Sequence, residues 1–141
     1  MNIESKLYYL ASPYSHKNPK VRKERAESVT EAAVSLLKHG IFVFAPISYN
    51  EPWEKYNLPG DWTFWCDFDK TFIERCDGGI IVLKLDGWEN SVGVSAEVSY
   101  AKSLGLPIYF ATEKQIKSGD LSFLNNENDC SYRLFCQNSK L

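Results

Sequence analysis

Gly79-Ile80-Ile81-Val82-Leu83-Lys84-Leu85-Asp86-Gly87-Trp88-Glu89-Asn90-Ser91-Val92-Gly93-Val94-Ser95-Ala96-Glu97 reads as a strand, a turn and the opening of a helix. The apolar run from Gly79 to Leu83 is continuous rather than alternating, which suits a parallel strand buried on both faces. Beyond the turn, Val94, Val98, Ala101 and Leu104 recur at spacings of three and four, the apolar stripe of a crossover helix. A strand feeding such a helix belongs to an α/β sheet.

That reading places Ser91 to Val94 near a helix N-terminus, where free N–H groups and the positive end of the dipole attract anions. Gly93 allows a ligand to approach the backbone closely. Glu97, about one turn in, is expected at a partly open crevice on the carboxyl edge of the sheet, where open α/β folds bind ligands. The stretch therefore reads as a cradle for a phosphate or a sugar. The plainer alternative is that Glu97 complements the helix dipole and Gly93 relieves the turn.

Outward from this centre the same rhythm repeats. Lys6 to Ala11 is an aromatic and apolar first strand, ended by Ser12-Pro13. Tyr14 to Lys20 is a polar loop. A helix is expected from Val21 to His39, with Ala26, Val29, Ala33, Leu36 and Leu37 on its buried face, Gly40 as its stop, and a solvated charged face opposite. Ile41 to Ala45 is a second continuous strand closed by Pro46. Ser48 to Trp65 breaks the pattern as a long irregular segment holding Tyr49, Trp53, Tyr56, Trp62, Phe64 and Trp65; such segments are often lids or binding loops. Its aromatics are candidates either for stacking on a planar ligand or for a satellite hydrophobic cluster. A helix over Trp62 to Arg75 precedes the central strand. Gly105 to Ala111 supplies a fourth strand, and beyond Thr112 the signal weakens to a last helix or strand around Phe123, Leu124, Tyr132, Leu134 and Phe135, with a turn over Asn125 to Asp129.

Strand and helix in alternation predict a right-handed, mostly parallel sheet of four to five strands covered on both faces, a three-layer, Rossmann-like sandwich. A flavodoxin-like 2-1-3-4 order suits a chain of 141 residues, read as one domain over 1–141. In that order the first and third strands are neighbours. The loops after Ala11 and Leu83 then flank one crevice, with Tyr9, Ser12, Tyr14 and His16 facing Ser91 and Glu97.

Composition narrows the function classes. Hydrophobic residues at 44% and charged residues at 24% are ordinary globular values. A formal charge of -2 argues against a nucleic-acid partner. No apolar run is long enough for a bilayer and no signal-peptide pattern opens the chain, so a cytoplasmic protein without a membrane partner is expected. Cys66, Cys76, Cys130 and Cys136 form no CxxC pair and do not cluster with His16 and His39, so neither zinc nor another metal is expected. Reduced thiols are expected, Cys66 and Cys76 as core residues of a helix. No GxGxxG follows the first strand, which disfavours dinucleotide binding.

Three patches together resemble the nucleoside 2-deoxyribosyltransferase family in its broad sense, which includes the 2'-deoxynucleoside 5'-monophosphate N-glycosidases. Tyr8-Tyr9-Leu10-Ala11-Ser12-Pro13 is similar to the family's opening strand with its active-site tyrosine, best matched by Tyr9. Asp69, eight residues before Asp77, resembles its paired-aspartate arrangement. Ser91-Val92-Gly93-Val94-Ser95-Ala96-Glu97 resembles the run that ends in its nucleophilic glutamate. The likeness spans residues 8 to 111.

The resemblance implies cleavage or transfer at the N-glycosidic bond of a nucleoside or nucleoside 5'-monophosphate, with retention. Glu97 would be the nucleophile, Asp69 the acid or base serving the departing base, and Tyr9 the residue orienting Glu97. Ser12, Tyr14, His16, Trp88, Ser91 and Gly93 are the implied substrate contacts. No cofactor is implied, and a homodimer or larger assembly is, in keeping with the many aromatics between Tyr49 and Trp65. The chain departs from the pattern after its first strand: the family's hydrolases carry an arginine there, where Tyr14-Ser15-His16-Lys17-Asn18 offers His16 and Lys17. A non-catalytic nucleotide-binding module, with Glu97 holding a ribose hydroxyl, is the competing reading.

Overall fold

The computed structural model describes residues 5–125. Four strands, β1 (Leu7–Ala11), β2 (Phe42–Phe44), β3 (Gly79–Leu83) and β4 (Ile108–Ala111), form a parallel sheet in the order β2-β1-β3-β4. This is the expected flavodoxin-like order. All five residues of β3 are buried, as its unbroken apolar run requires. Gly79 opens β3 at φ +90, and a Cβ there would lie 2.1 Å from the Pro107 carbonyl oxygen, so no larger residue fits between β3 and the approach to β4.

The helices are α1 (Pro19–Lys38), α2 (Pro46–Asn50), α3 (Trp62–Ile73), α4 (Val92–Ser103) and α5 (Glu113–Ser118). Strand alternation splits the core in two. Leu10, Ile81, Leu83 and Ala111 point toward α1 and α5, meeting Val29, Ala32, Leu36 and Ile116. Tyr9, Ala11, Ile80, Val82, Ile108 and Phe110 point to the other face, meeting Ile73, Val94, Val98 and Ala101 of α3 and α4. Right-handed crossovers account for this: the chain moves one way from β1 to β2 and the other way from β2 to β3 and on to β4. β1 and β3 therefore lie side by side while their following helices depart to opposite faces, which opens a crevice at their carboxyl ends.

Local chemistry corrects several expected boundaries. Helix α1 begins at Pro19, before Val21, because the Asn18 side chain accepts from the Lys20 N–H and proline is favoured at the first helical position. Leu37 is 60% exposed and Ala32 takes the buried position, a shift of the apolar stripe by one helical row. Leu104, just past α4, is also exposed. The segment Ser48 to Trp65 is less irregular than expected: α2 and a 3-10 turn over Glu51–Tyr56 occupy it, and α3 starts at Trp62 with Asp61 accepting from the Phe64 N–H. Helix α5, unanticipated, is set by a capping box in which the Thr112 side chain accepts from the Gln115 N–H and the Gln115 side chain accepts from the Thr112 N–H. Phe123 sits in a short 3-10 turn, Ser122–Asn125, and packs on the α1/α5 side. The expected elements at Tyr132, Leu134 and Phe135, the rest of the turn beyond Asn125, and Cys130 and Cys136 lie outside the described residues.

Cys66 and Cys76 are free thiols. Cys66 is on α3 and half-buried, whereas Cys76 is buried in the turn between α3 and β3 rather than in a helix. Among the described residues no helix is long and apolar enough to cross a membrane.

Candidate active site

Tyr9 comes from the middle of β1, paired in register with Phe44 of β2 and Ile80 of β3, so its ring points to the α3/α4 face. Asp69 lies one turn before Ile73 on the buried side of α3, and Glu97 lies between Val94 and Val98 on the buried side of α4. Three elements thus deliver three polar side chains to one place. The Tyr9 hydroxyl donates to Glu97 Oε2. The Asp69 carboxyl lies within hydrogen-bonding reach of both Glu97 and Tyr9.

All three are deeply enclosed: Tyr9 is fully buried, Glu97 is 5% exposed and Asp69 8%. The expectation of a partly open setting for Glu97 is corrected by this burial, which follows from the apolar neighbours that α4 must pack against the sheet. Burial, then the Asp69 charge, holds Glu97 well above the usual carboxylate range. Burial likewise pushes Asp69 from 3.8 up to about 6. The Tyr9 phenol is raised by burial and then by both carboxylates, so it stays a donor. Two carboxyls in one desolvated spot cannot both ionise cheaply, so the pair favours keeping a proton between them.

Two buried side-chain oxygens, Asp69 Oδ1 and Ser12 Oγ, have no hydrogen-bond partner among the described residues. Ser12 directly follows β1, at the carboxyl end of the strand that carries Tyr9. Buried polar atoms are almost always paired, so an unpaired oxygen within the carboxyl dyad stands out. Asn50 Oδ1, at the end of α2, is in the same condition.

The other expected contacts fall into different places. Ser91 is the N-cap of α4, accepting from the Val94 N–H at 3.2 Å, and it is half-buried at the opening of that helix. A Cβ on Gly93 would meet only Ser91 Oγ, at 3.9 Å, so the protein's own packing does not demand glycine there. Trp88 is half-buried and packs its ring on Phe110 at 5.4 Å against the α3/α4 core. Tyr14 and His16 do not join the Tyr9–Asp69–Glu97 cluster. The Tyr14 hydroxyl donates to Glu54 Oε2 at 2.5 Å, and His16, exposed, accepts from the Asn18 N–H. Burial and then the Glu54 bond raise the Tyr14 phenol, while the Tyr14 bond lowers Glu54.

The aromatics of the long connection stack on one another and reach the site. Tyr9 meets Phe44 at 6.1 Å, Phe44 stacks on Phe72 at 4.0 Å, Phe72 meets Phe68 at 5.0 Å, and Phe68 meets Trp65 and Trp53 at 5.6 and 6.2 Å. Each such pair adds about 0.5 to 1.5 kcal/mol beyond its buried area. The ladder braces Tyr9 from the side away from Glu97's helix.

Sequence reasoning missed two arginines of α1, reading its charged face as solvated. Arg22 bonds Glu54 through Nε and Nη2 and the His16 carbonyl through Nη1. Arg25 reaches the carbonyls of Tyr14, Ser15 and Asp86. Their signal was present: two arginines three apart in the first turns of the helix that leaves the crevice loop lie on one face and point back over it.

A family model with the description "Domain of unknown function (DUF1937)" matches residues 6–113. The chain belongs to that family. The DUF1937 match runs from just before β1 to the first residue of α5, so the whole sheet, Tyr9, Arg25, Asp69, Ser91 and Glu97 lie inside it. No curated protein matches the chain.

Proposed function

We propose that the crevice takes a nucleoside 5'-monophosphate or a nucleoside and that Glu97 cleaves its N-glycosidic bond with retention. The observation carrying this reading is the meeting of Glu97 and Asp69, from separate helices, under the Tyr9 hydroxyl with Asp69 Oδ1 left unpaired. Burial and the Asp69 charge favour the proton on Glu97, the Tyr9 hydroxyl favours the Glu97 carboxylate, and attack proceeds from the form in which the pair's proton sits on Asp69. A Glu97 oxygen attacks the anomeric carbon as the carbon–nitrogen bond breaks, and the base departs with that electron pair, taking the proton from Asp69. Water or a second base then attacks the same carbon, the ester to Glu97 breaks, and the attacker's proton returns to Asp69. Tyr9 holds the attacking carboxylate in one rotamer.

The test is free-base release from a panel of deoxyribonucleoside and ribonucleoside monophosphates, followed by chromatography, for the wild type and Glu97→Gln. Glutamine matches the size of a side chain that is buried and held toward its neutral form, so the fold is retained. The wild type is expected to release base and the variant to keep less than about 1% of kcat, since loss of a covalent nucleophile costs several orders of magnitude. Retention above that level, or nucleotide binding by the wild type without base release, sinks the catalytic reading in favour of a binding module.

A further inference from the structure

The crevice has two walls, and one side chain spans them. The first wall is the loop after β1, with Ser12, Tyr14 and Ser15; the second is the loop after β3, from Lys84 to Ser91. Arg25 rises from α1, on the sheet face opposite Asp69 and Glu97. Its Nη1 donates to the carbonyls of Tyr14 and Ser15 at 3.3 and 3.0 Å, and its Nη2 donates to the Asp86 carbonyl at 3.1 Å. The next residue, Gly87, has φ +88, and a Cβ there would lie 2.9 Å from Arg25 Nη2. Glycine at 87 therefore serves the turn and the approach of the guanidinium together.

We propose that Arg25 is a positioning residue whose guanidinium, seated against Gly87, fixes the separation of the two loops between which the ligand is held. This rests on the crevice being the ligand site, as the proposed function has it. Backbone carbonyls on neighbouring loops have no bond to each other here; a planar fork with several N–H groups joins them, which a lysine ammonium cannot do in the same geometry. The loops carry Ser12 on one side and the turn into Ser91 on the other, whereas Tyr9, Asp69 and Glu97 stand on the sheet and on α3 and α4. Loss of Arg25 consequently loosens the grip on the ligand and leaves the dyad in place.

Arg25→Gln, Arg25→Lys and Gly87→Ala test this in the full chain by two measurements. Amide hydrogen exchange, read by mass spectrometry, is expected to quicken by about tenfold or more in residues 12–18 and 84–91 of each variant, with β1, β3 and α4 unchanged. With the nucleoside monophosphate that the wild type turns over, KM should rise about tenfold or more while kcat stays within about threefold. A merely destabilised protein would lose kcat with its folded fraction and keep KM. Gly87→Ala both strains the turn at φ +88 and displaces the guanidinium, so the double variant Arg25→Gln/Gly87→Ala should be no worse than Gly87→Ala alone. Exchange that is unchanged in either loop, a full rescue by Arg25→Lys, or additive effects in the double variant overturns the proposal. If the wild type releases no base, the catalytic reading falls, and the exchange data still decide whether Arg25 holds the loops.

Discussion

Asp69→Asn removes one carboxyl from the buried pair and keeps its shape. In the wild type, burial raises Asp69 from 3.8 to about 6, so the folded protein binds this proton more tightly than the unfolded chain does. The sign follows: the associated stability is fully present below the unfolded value near pH 4, is lost as pH rises toward 6, and levels off above. A displacement from 3.8 to about 6 corresponds to about 3 kcal/mol. For a chain of this size that is roughly 10 °C in Tm. Asparagine does not titrate, so between pH 4 and pH 7.5 the Tm of the variant should fall by roughly that much less than the wild type's. Thermal unfolding followed by circular dichroism across that range measures it, and the difference between the two curves cancels the carboxylates remote from Asp69 while Glu97, raised in part by the Asp69 charge, relaxes in the same direction. Parallel curves would refute the desolvated pair. Base release should be lost in the same variant, because an amide has no proton of suitable acidity to give.

Ser91→Asp should leave stability within about 0.5 kcal/mol, since aspartate caps α4 as well as serine does. The wild type should favour a deoxynucleoside monophosphate over its nucleoside by at least about tenfold in kcat/KM, or about 1.4 kcal/mol, and Ser91→Asp should lose that preference, an added negative charge opposing the phosphate. Equal use of the free nucleoside by the wild type would remove the phosphate from the α4 N-terminus. The exposed Tyr49 and Tyr56 of the connection between β2 and α3 and the exposed Phe64 of α3 should be covered by a second copy of the chain, giving a dimer by sedimentation at micromolar concentration. An active monomer there would dismiss it.

The sheet was legible because its determinants are local. The unbroken Gly79–Leu83 run, the spacing of Val94, Val98 and Ala101, and the stops at Gly40 and Pro46 fix period and burial without reference to distant residues. Chain connectivity and the right-handed crossover then leave few strand orders, and β2-β1-β3-β4 follows. The nearness of Tyr9 and Glu97 came from that order as well, since β1 and β3 must be neighbours. Other features had no local mark. Nothing in the sequence distinguishes a half-open Glu97 from a buried one, because its burial depends on how closely α3 and α4 close over the sheet. The charges of Arg22 and Arg25 look the same in solvent as on carbonyls, and only the folded path of two loops gives Arg25 its three acceptors. The contact of Trp88 with Phe110 likewise depends on the turn at Gly87, which no local pattern encodes. Periodicity encodes which face of an element is buried; which polar groups meet across elements is set by packing, where an ångström decides whether a proton is shared.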